Sequence, residues 1–164
     1  MDKDFEAKKR YLLTPLYVEA GAALFDCQVF EYGIALMLHH FARLGLTDLE
    51  PRQTTAIMED EEKKTAGQLM RMVKIHFEVS NSMEEKLSLA LNARNKLVHR
   101  ILIDNAEKIP NHETRKQLIK EIRNSRSIIR EADKSVRKIV DALGNAIDGF
   151  DPGDYLDKVK GTIS

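Results

Sequence analysis

Arg94, Asn95 and His99 fall within a six-residue span, and their side chains match what metal-free cleavage of a phosphodiester demands. A histidine takes or gives a proton near neutrality, an arginine holds a phosphate through paired N–H donors, and an asparagine amide orients a hydroxyl or a phosphate oxygen. In RNA the 2′-hydroxyl is itself the nucleophile. The protein need only deprotonate it, stabilise the crowded phosphate and protonate the leaving oxygen. One histidine is few for two proton transfers, and a two-fold pair of chains would bring two into one cleft.

The spacing puts these residues on a helix. Met83, Leu87, Ala90, Leu91, Val98 and Ile101 recur every three or four positions, and at 100° per residue Arg94 falls inside their arc. A guanidinium facing a core is costly without a partner. Asn95 and His99, four residues apart, stack on one flank of the same helix. Glu31 poses the same problem earlier in the chain, amid the stripe of Leu24, Cys27, Ile34, Ala35 and Leu38. Two opposite charges on two apolar stripes predict a Glu31–Arg94 contact. Such a pair fits a structural role in helix docking as well as a supporting role beneath a reactive arginine.

The elements that must position this cluster read as helices throughout. The 164 residues include only 4 prolines and 8 glycines, and no strand-length alternation of apolar and polar residues occurs. A long first helix is expected from Thr14-Pro15, with proline at the first helical position, to about Gly45. The polar stretch 47–64, containing Pro51 and the acidic run 59–62, reads as a connection with one short helix. Thr65 and Gln68 form a capping box for a second helix reaching about Phe77. Asn81 or Ser82 would cap a third that ends before Pro110. A fourth, from about Asn111, carries Leu118, Ile122, Ile129, Val136, Ile139, Leu143 and Ile147, and stops by Gly149 and Pro152. The expected fold is all-α: an antiparallel four-helix bundle with a short extra helix, one domain over 1–150 and a C-terminal tail over 151–164.

Composition narrows the function classes. Cys27 is the sole cysteine, which excludes a disulfide scaffold and a multi-cysteine zinc site. The first residues are acidic where a signal peptide is basic, and no apolar run near 20 residues is evident, so no membrane role and a cytoplasmic location are expected. With 26 basic and 26 acidic residues, there is no global nucleic-acid footprint. From Lys108 to Lys138, however, ten Lys and Arg stand against four Asp and Glu. Arg123, Arg126 and Arg130 are therefore candidates for a phosphate backbone, beside the plainer reading of a solvated helix face. The adjacent His39 and His40 point about 100° apart with no carboxylate at ligand spacing, and His76 and His112 are isolated, so no metal or cofactor is expected.

The stretch Leu89-Ala90-Leu91-Asn92-Ala93-Arg94-Asn95-Lys96-Leu97-Val98-His99-Arg100 resembles the HEPN family (higher eukaryotes and prokaryotes nucleotide-binding), whose hallmark is an arginine, usually followed by a polar residue, with a histidine after four to six intervening residues. The likeness extends over roughly 15–143. It implies a metal-independent endoribonuclease of toxin–antitoxin or phage-defence systems, dimeric with the motif at the dimer interface and leaving a 2′,3′-cyclic phosphate. Arg94 and His99 would be catalytic and Asn95 would assist. The implied partners are RNA, a second copy, and a cognate antitoxin or regulatory protein. The family also includes catalytically silent members that bind RNA or dimerise. Members restrained by a nucleotidyltransferase antitoxin often have a tyrosine two residues after the histidine. Here that residue is Ile101, so the resemblance does not carry over that partner.

Overall fold

Two long apolar periodicities set the frame. The computed structural model describes residues 3–59 and 64–147, which form α1 (Lys3–Arg43), α2 (Pro51–Met58), α3 (Ala66–His76), α4 (Asn81–His99) and α5 (His112–Ile147), with a short 3₁₀ turn at Ala106–Lys108. There is no strand among the described residues. The five helices pack together: α1 lies along α5, α4 packs on both, and α2 and α3 cover α1. Leu16, Phe30, Ile34 and Leu38 of α1, Leu87 of α4, and Leu118, Ile122, Ile129 and Val136 of α5 are fully buried in one continuous core. Gly33 permits the close approach of α1 to α5, because a Cβ there would lie 3.3 Å from Val136 Cγ1.

Helix ends depart from expectation in instructive ways. Instead of starting at Thr14, α1 begins at Lys3 and carries Pro15 inside it. The preceding Lys, Glu, Ala, Arg and Leu residues are strong helix formers. A proline cannot donate to the preceding turn, and there Thr14 Oγ1 donates to the Arg10 carbonyl at 2.8 Å. The end of α1 follows the glycine rule. Gly45 has φ +65°, its N–H reaches the Ala42 carbonyl at 3.1 Å and Leu46 N–H reaches Phe41 at 3.0 Å, a Schellman closure. The expected capping box of α3 is present, with Gln68 N–H donating to Thr65 Oγ1 and Thr65 N–H to Gln68 Oε1. The cap of α4 is Ser80 rather than Asn81 or Ser82, its Oγ accepting from Met83 N–H at 3.2 Å. The expected tail, 151–164, and the stop at Gly149 and Pro152 lie outside the described residues.

One reading of the sequence is corrected by α1. It contains an 18-residue window of mean hydropathy 1.3, long and apolar enough by composition to cross a membrane. Its charged residues are few and its apolar ones are dispersed around the helix, which hides the run from a search for an unbroken stretch. In the fold this is the core helix, and 39% of the window is buried.

Two polar contacts, one ionic and one a neutral hydrogen bond, fasten helices at their flanks. Glu19 of α1, with only 9% of its side chain exposed, accepts from Arg123 Nε at 2.8 Å and from Arg126, and Arg126 Nε also reaches Asp26 at 2.7 Å. Burial raises the Glu19 proton affinity, but hydrogen bonds from Arg123 and Arg126 outweigh it and hold the carboxyl below its usual range. At the other end, the fully buried Thr54 hydroxyl donates to the Pro51 carbonyl at 2.9 Å. It therefore accepts from His39 Nδ1, 3.1 Å away. Burial, with Arg43 nearby, lowers the His39 pKa.

A depressed folded-state value means that folding favours the neutral His39 ring. That contribution is complete above the ordinary histidine value and is lost as pH falls toward the lower folded value. Urea unfolding between pH 7.5 and 5.5 should show stability declining with acidity, and His39→Gln, which keeps a donor for Thr54, should flatten that decline. Separately, Glu19→Ala should cost about 1–3 kcal/mol, less than a fully buried pair because Arg123 is largely exposed.

Candidate functional site

Arg94 projects from the margin of the buried face of α4, beside Ala90, Ala93 and Leu97. Its side chain is 14% exposed, so the guanidinium is mostly withdrawn from water and must be hydrogen-bonded. Nε donates to Glu31 Oε1 of α1 at 2.5 Å, which is the contact that the two misplaced charges predict. Nη1 donates to Asn95 Oδ1 at 3.1 Å and lies 3.1 Å from His99 Nε2. No partner for Nη2 is found among the described residues. The structure thus joins Glu31, Arg94, Asn95 and His99 in one hydrogen-bonded chain. It runs from the interior to the rim, where Asn95 and His99 are exposed.

The contacts settle the orientation of the imidazole. Arginine offers only donors, so His99 Nε2 faces Arg94 with its lone pair, and the ring proton belongs on Nδ1. In this arrangement the atom that would accept a proton is already pointed at the guanidinium. His99 sits in the last turn of α4, which stops there with Arg100 N–H bonded to the Lys96 carbonyl. The sequence predicts helix continuing past Ile101, but 100–105 form turns, and Asn105 Nδ2 donates to the Ile101 carbonyl at 2.8 Å. His99 therefore stands at a helix end and lines an apolar groove of about 260 Å³ between Ala20, Ala23 and Leu24 of α1 and Leu97–Ile103.

Cys27 is buried beside the cluster. Burial pushes its thiol up to about 11, more than the neighbouring Arg94 lowers it. The arginines of α5 are placed differently from the expectation of a free basic face. Arg123 and Arg126 are tied to Glu19 and Asp26, whereas Arg130 is exposed with no partner among the described residues. Arg123, Arg126, Arg130 and Lys134 nonetheless line a shallow cleft of about 500 Å³ with Ser127, Glu19 and Glu131. Sequence reasoning missed Glu19 and Asp26. Their seven-residue spacing was the available signal, since it places both acids on one flank of α1. Among the described residues, no group of three or more His, Cys, Asp or Glu is arranged to hold a metal ion.

Comparison of the chain with family models, with curated proteins and with solved structures gives no match.

Glu31→Ala removes the anion beneath a mostly buried guanidinium and should destabilise the protein by about 2–4 kcal/mol in urea unfolding, discounted for the 24% exposure of Glu31. Glu31→Gln keeps an acceptor for Arg94 Nε and should cost less.

Proposed function

We propose that the chain is a metal-independent endoribonuclease of the HEPN type, built on an antiparallel helical bundle, acting as a toxin or in phage defence, and completed by a second copy. The observation that carries this reading is the pair of contacts from Arg94 Nη1, which hold Asn95 and His99 on an exposed rim with a guanidinium donor facing His99 Nε2. When a phosphate draws the open Nη edge of Arg94, Nε2 is released as general base for the 2′-hydroxyl. Arg94, fixed from behind by Glu31, then balances the added charge on the phosphorus oxygens, and Asn95 orients the reacting groups. The 2′-oxygen attacks, the bond to the 5′-oxygen breaks, and the products are a 2′,3′-cyclic phosphate and a 5′-hydroxyl. His99 of the second copy, entering the step as imidazolium, would protonate the leaving oxygen, while the first His99 keeps the proton of the 2′-hydroxyl, so the pair ends with its protonation states exchanged. Of Arg123, Arg126 and Arg130, Arg130 is the one left to guide the RNA backbone, because Arg123 and Arg126 already have carboxylate partners.

A different observation favours a second reading. Arg94 spends Nε on Glu31 and is 14% exposed, which suits a docking ion pair in a catalytically silent module that binds RNA, an antitoxin or another regulatory protein.

Purified protein in EDTA should cleave single-stranded RNA or tRNA, and folded His99→Ala should lose on the order of 10²–10⁴-fold in rate. Failure of the wild type to cleave, or full activity of His99→Ala, would favour the silent module. Arg130→Glu should weaken RNA binding and reduce its salt dependence by about one phosphate contact. It is a cleaner test than reversing Arg123 or Arg126, which would also break the Glu19 network.

A further inference from the structure

The outer face of α1 carries no charge from Tyr11 to Tyr32. Between Tyr11 and Leu38 the charged residues are Glu19, Asp26 and Glu31, and the fold uses all three: Glu19 and Asp26 meet arginines of α5, and Glu31 meets Arg94. What remains outside is largely apolar and aromatic. Tyr11, Tyr17, Val18, Leu24, Phe25 and Tyr32 are between 45% and 81% exposed, along about 30 Å of helix. Taking each aromatic ring at roughly 200 Å², the exposed parts of the four rings come to about 500 Å². That size marks an interaction site even before Val18 and Leu24 are added.

The edge of this face that borders α5 is basic. Arg123, Arg130, Lys134 and Arg137 are exposed. Arg123 reaches across to Glu19, and Arg137 lines one groove with Gln28, Val29 and Tyr32, which sets the basic edge beside the apolar strip. The ion pairs along this seam are lopsided. Arg123 and Arg137 are 66% and 60% exposed, whereas their partners Glu19 and Asp133 are 9% and 13% exposed. The carboxylates are withdrawn and the guanidinium groups face solvent. Only two exposed acids, Glu131 and Asp141, stand among these four cations, so the edge stays positive. Lys9 and Arg10, both exposed, extend the charge to the start of the strip.

An uncharged strip of rings and aliphatic groups with cations along its edge is the pattern that lies on an anionic bilayer. The apolar groups enter the boundary between headgroups and acyl chains while Lys and Arg stay at the lipid phosphates. Tyrosine suits that depth, because its ring is apolar and its hydroxyl can remain wet. Single-stranded RNA fits less well, since its phosphates run beside the stacked bases and call for cations among the aromatics. Packing decides how α1 would lie. Leu16, Phe30, Ile34 and Leu38 hold its other side in the core, so the helix rests along a surface and does not cross it.

We propose that this face of α1, with its rim from α5, docks the protein on an anionic lipid surface, with α1 parallel to the membrane plane. The proposal stands independently of the ribonuclease reading.

The wild type should float with phosphatidylcholine vesicles containing phosphatidylglycerol, bind pure phosphatidylcholine far less, and dissociate as salt is raised. Phe25→Glu should lower the apparent partition by about tenfold or more. Lys134→Gln should lower it about fivefold, and only on the anionic vesicles. Leu89→Glu, on α4 and 51% exposed, should change nothing. All three positions are exposed, so circular dichroism and melting should match the wild type. The chain contains no tryptophan, so Phe25→Trp reports on this face alone. Its emission should be that of an exposed indole in buffer and should shift to the blue on anionic vesicles. A wild type that does not float, a Phe25→Glu variant that floats equally well, or a Phe25→Trp emission unmoved while the protein floats would overturn the proposal. So would an emission already blue in dilute buffer, which would give the face to a second copy, or quenching by single-stranded RNA without any response to vesicles.

Discussion

An arginine withdrawn from water must be given an anion, and much of this site follows from how that need is met. Arg94 sits where α4 meets α1, and the Glu31 carboxylate from α1 takes its Nε. Replacing one partner would strand the other in a medium where an unpaired charge is expensive. The pair therefore fixes the rotation of α4 against α1. It also aims the remaining guanidinium edge outward, where Nη1 meets Asn95 and His99. A single interaction thus couples helix docking to the hydrogen bonding of the rim, where a guanidinium donor faces His99 Nε2.

The surrounding fold supports that arrangement from both sides. The Glu19, Arg123, Arg126 and Asp26 network locks α1 to α5, and the close approach at Gly33 seats the two long helices against each other. The turn after His99 ends α4 at the point where its last residues are exposed. Rigid helices hold the inner members of the cluster while the outer members stay open to a ligand, which is the condition for a preorganised site.

Much of this was legible in the residues. The apolar spacing of α5 marks its buried face almost residue by residue, and the capping box at Thr65 and Gln68 places the start of α3. The Glu31–Arg94 contact follows from two charges in the wrong arcs. Other features were hidden for physical reasons. Proline is most at home at a helix start, yet the helix-forming residues before Pro15 carry α1 eleven residues further back than Thr14. Ser80, Asn81 and Ser82 all have capping side chains, so local chemistry alone did not choose among them. The basic count on α5 was incomplete, because composition does not show that Glu19 and Asp26, about a hundred residues away, pair with Arg123 and Arg126.

The most direct test of the central interaction is the ¹⁵N spectrum of the His99 imidazole at neutral pH, in the wild type and in Arg94→Leu. A wild-type ring with Nδ1 protonated and Nε2 bare, whose preference disappears in Arg94→Leu, is the result expected if Arg94 sets the histidine for proton abstraction. A wild-type ring protonated on Nε2, or a tautomer unchanged by loss of Arg94, would contradict it.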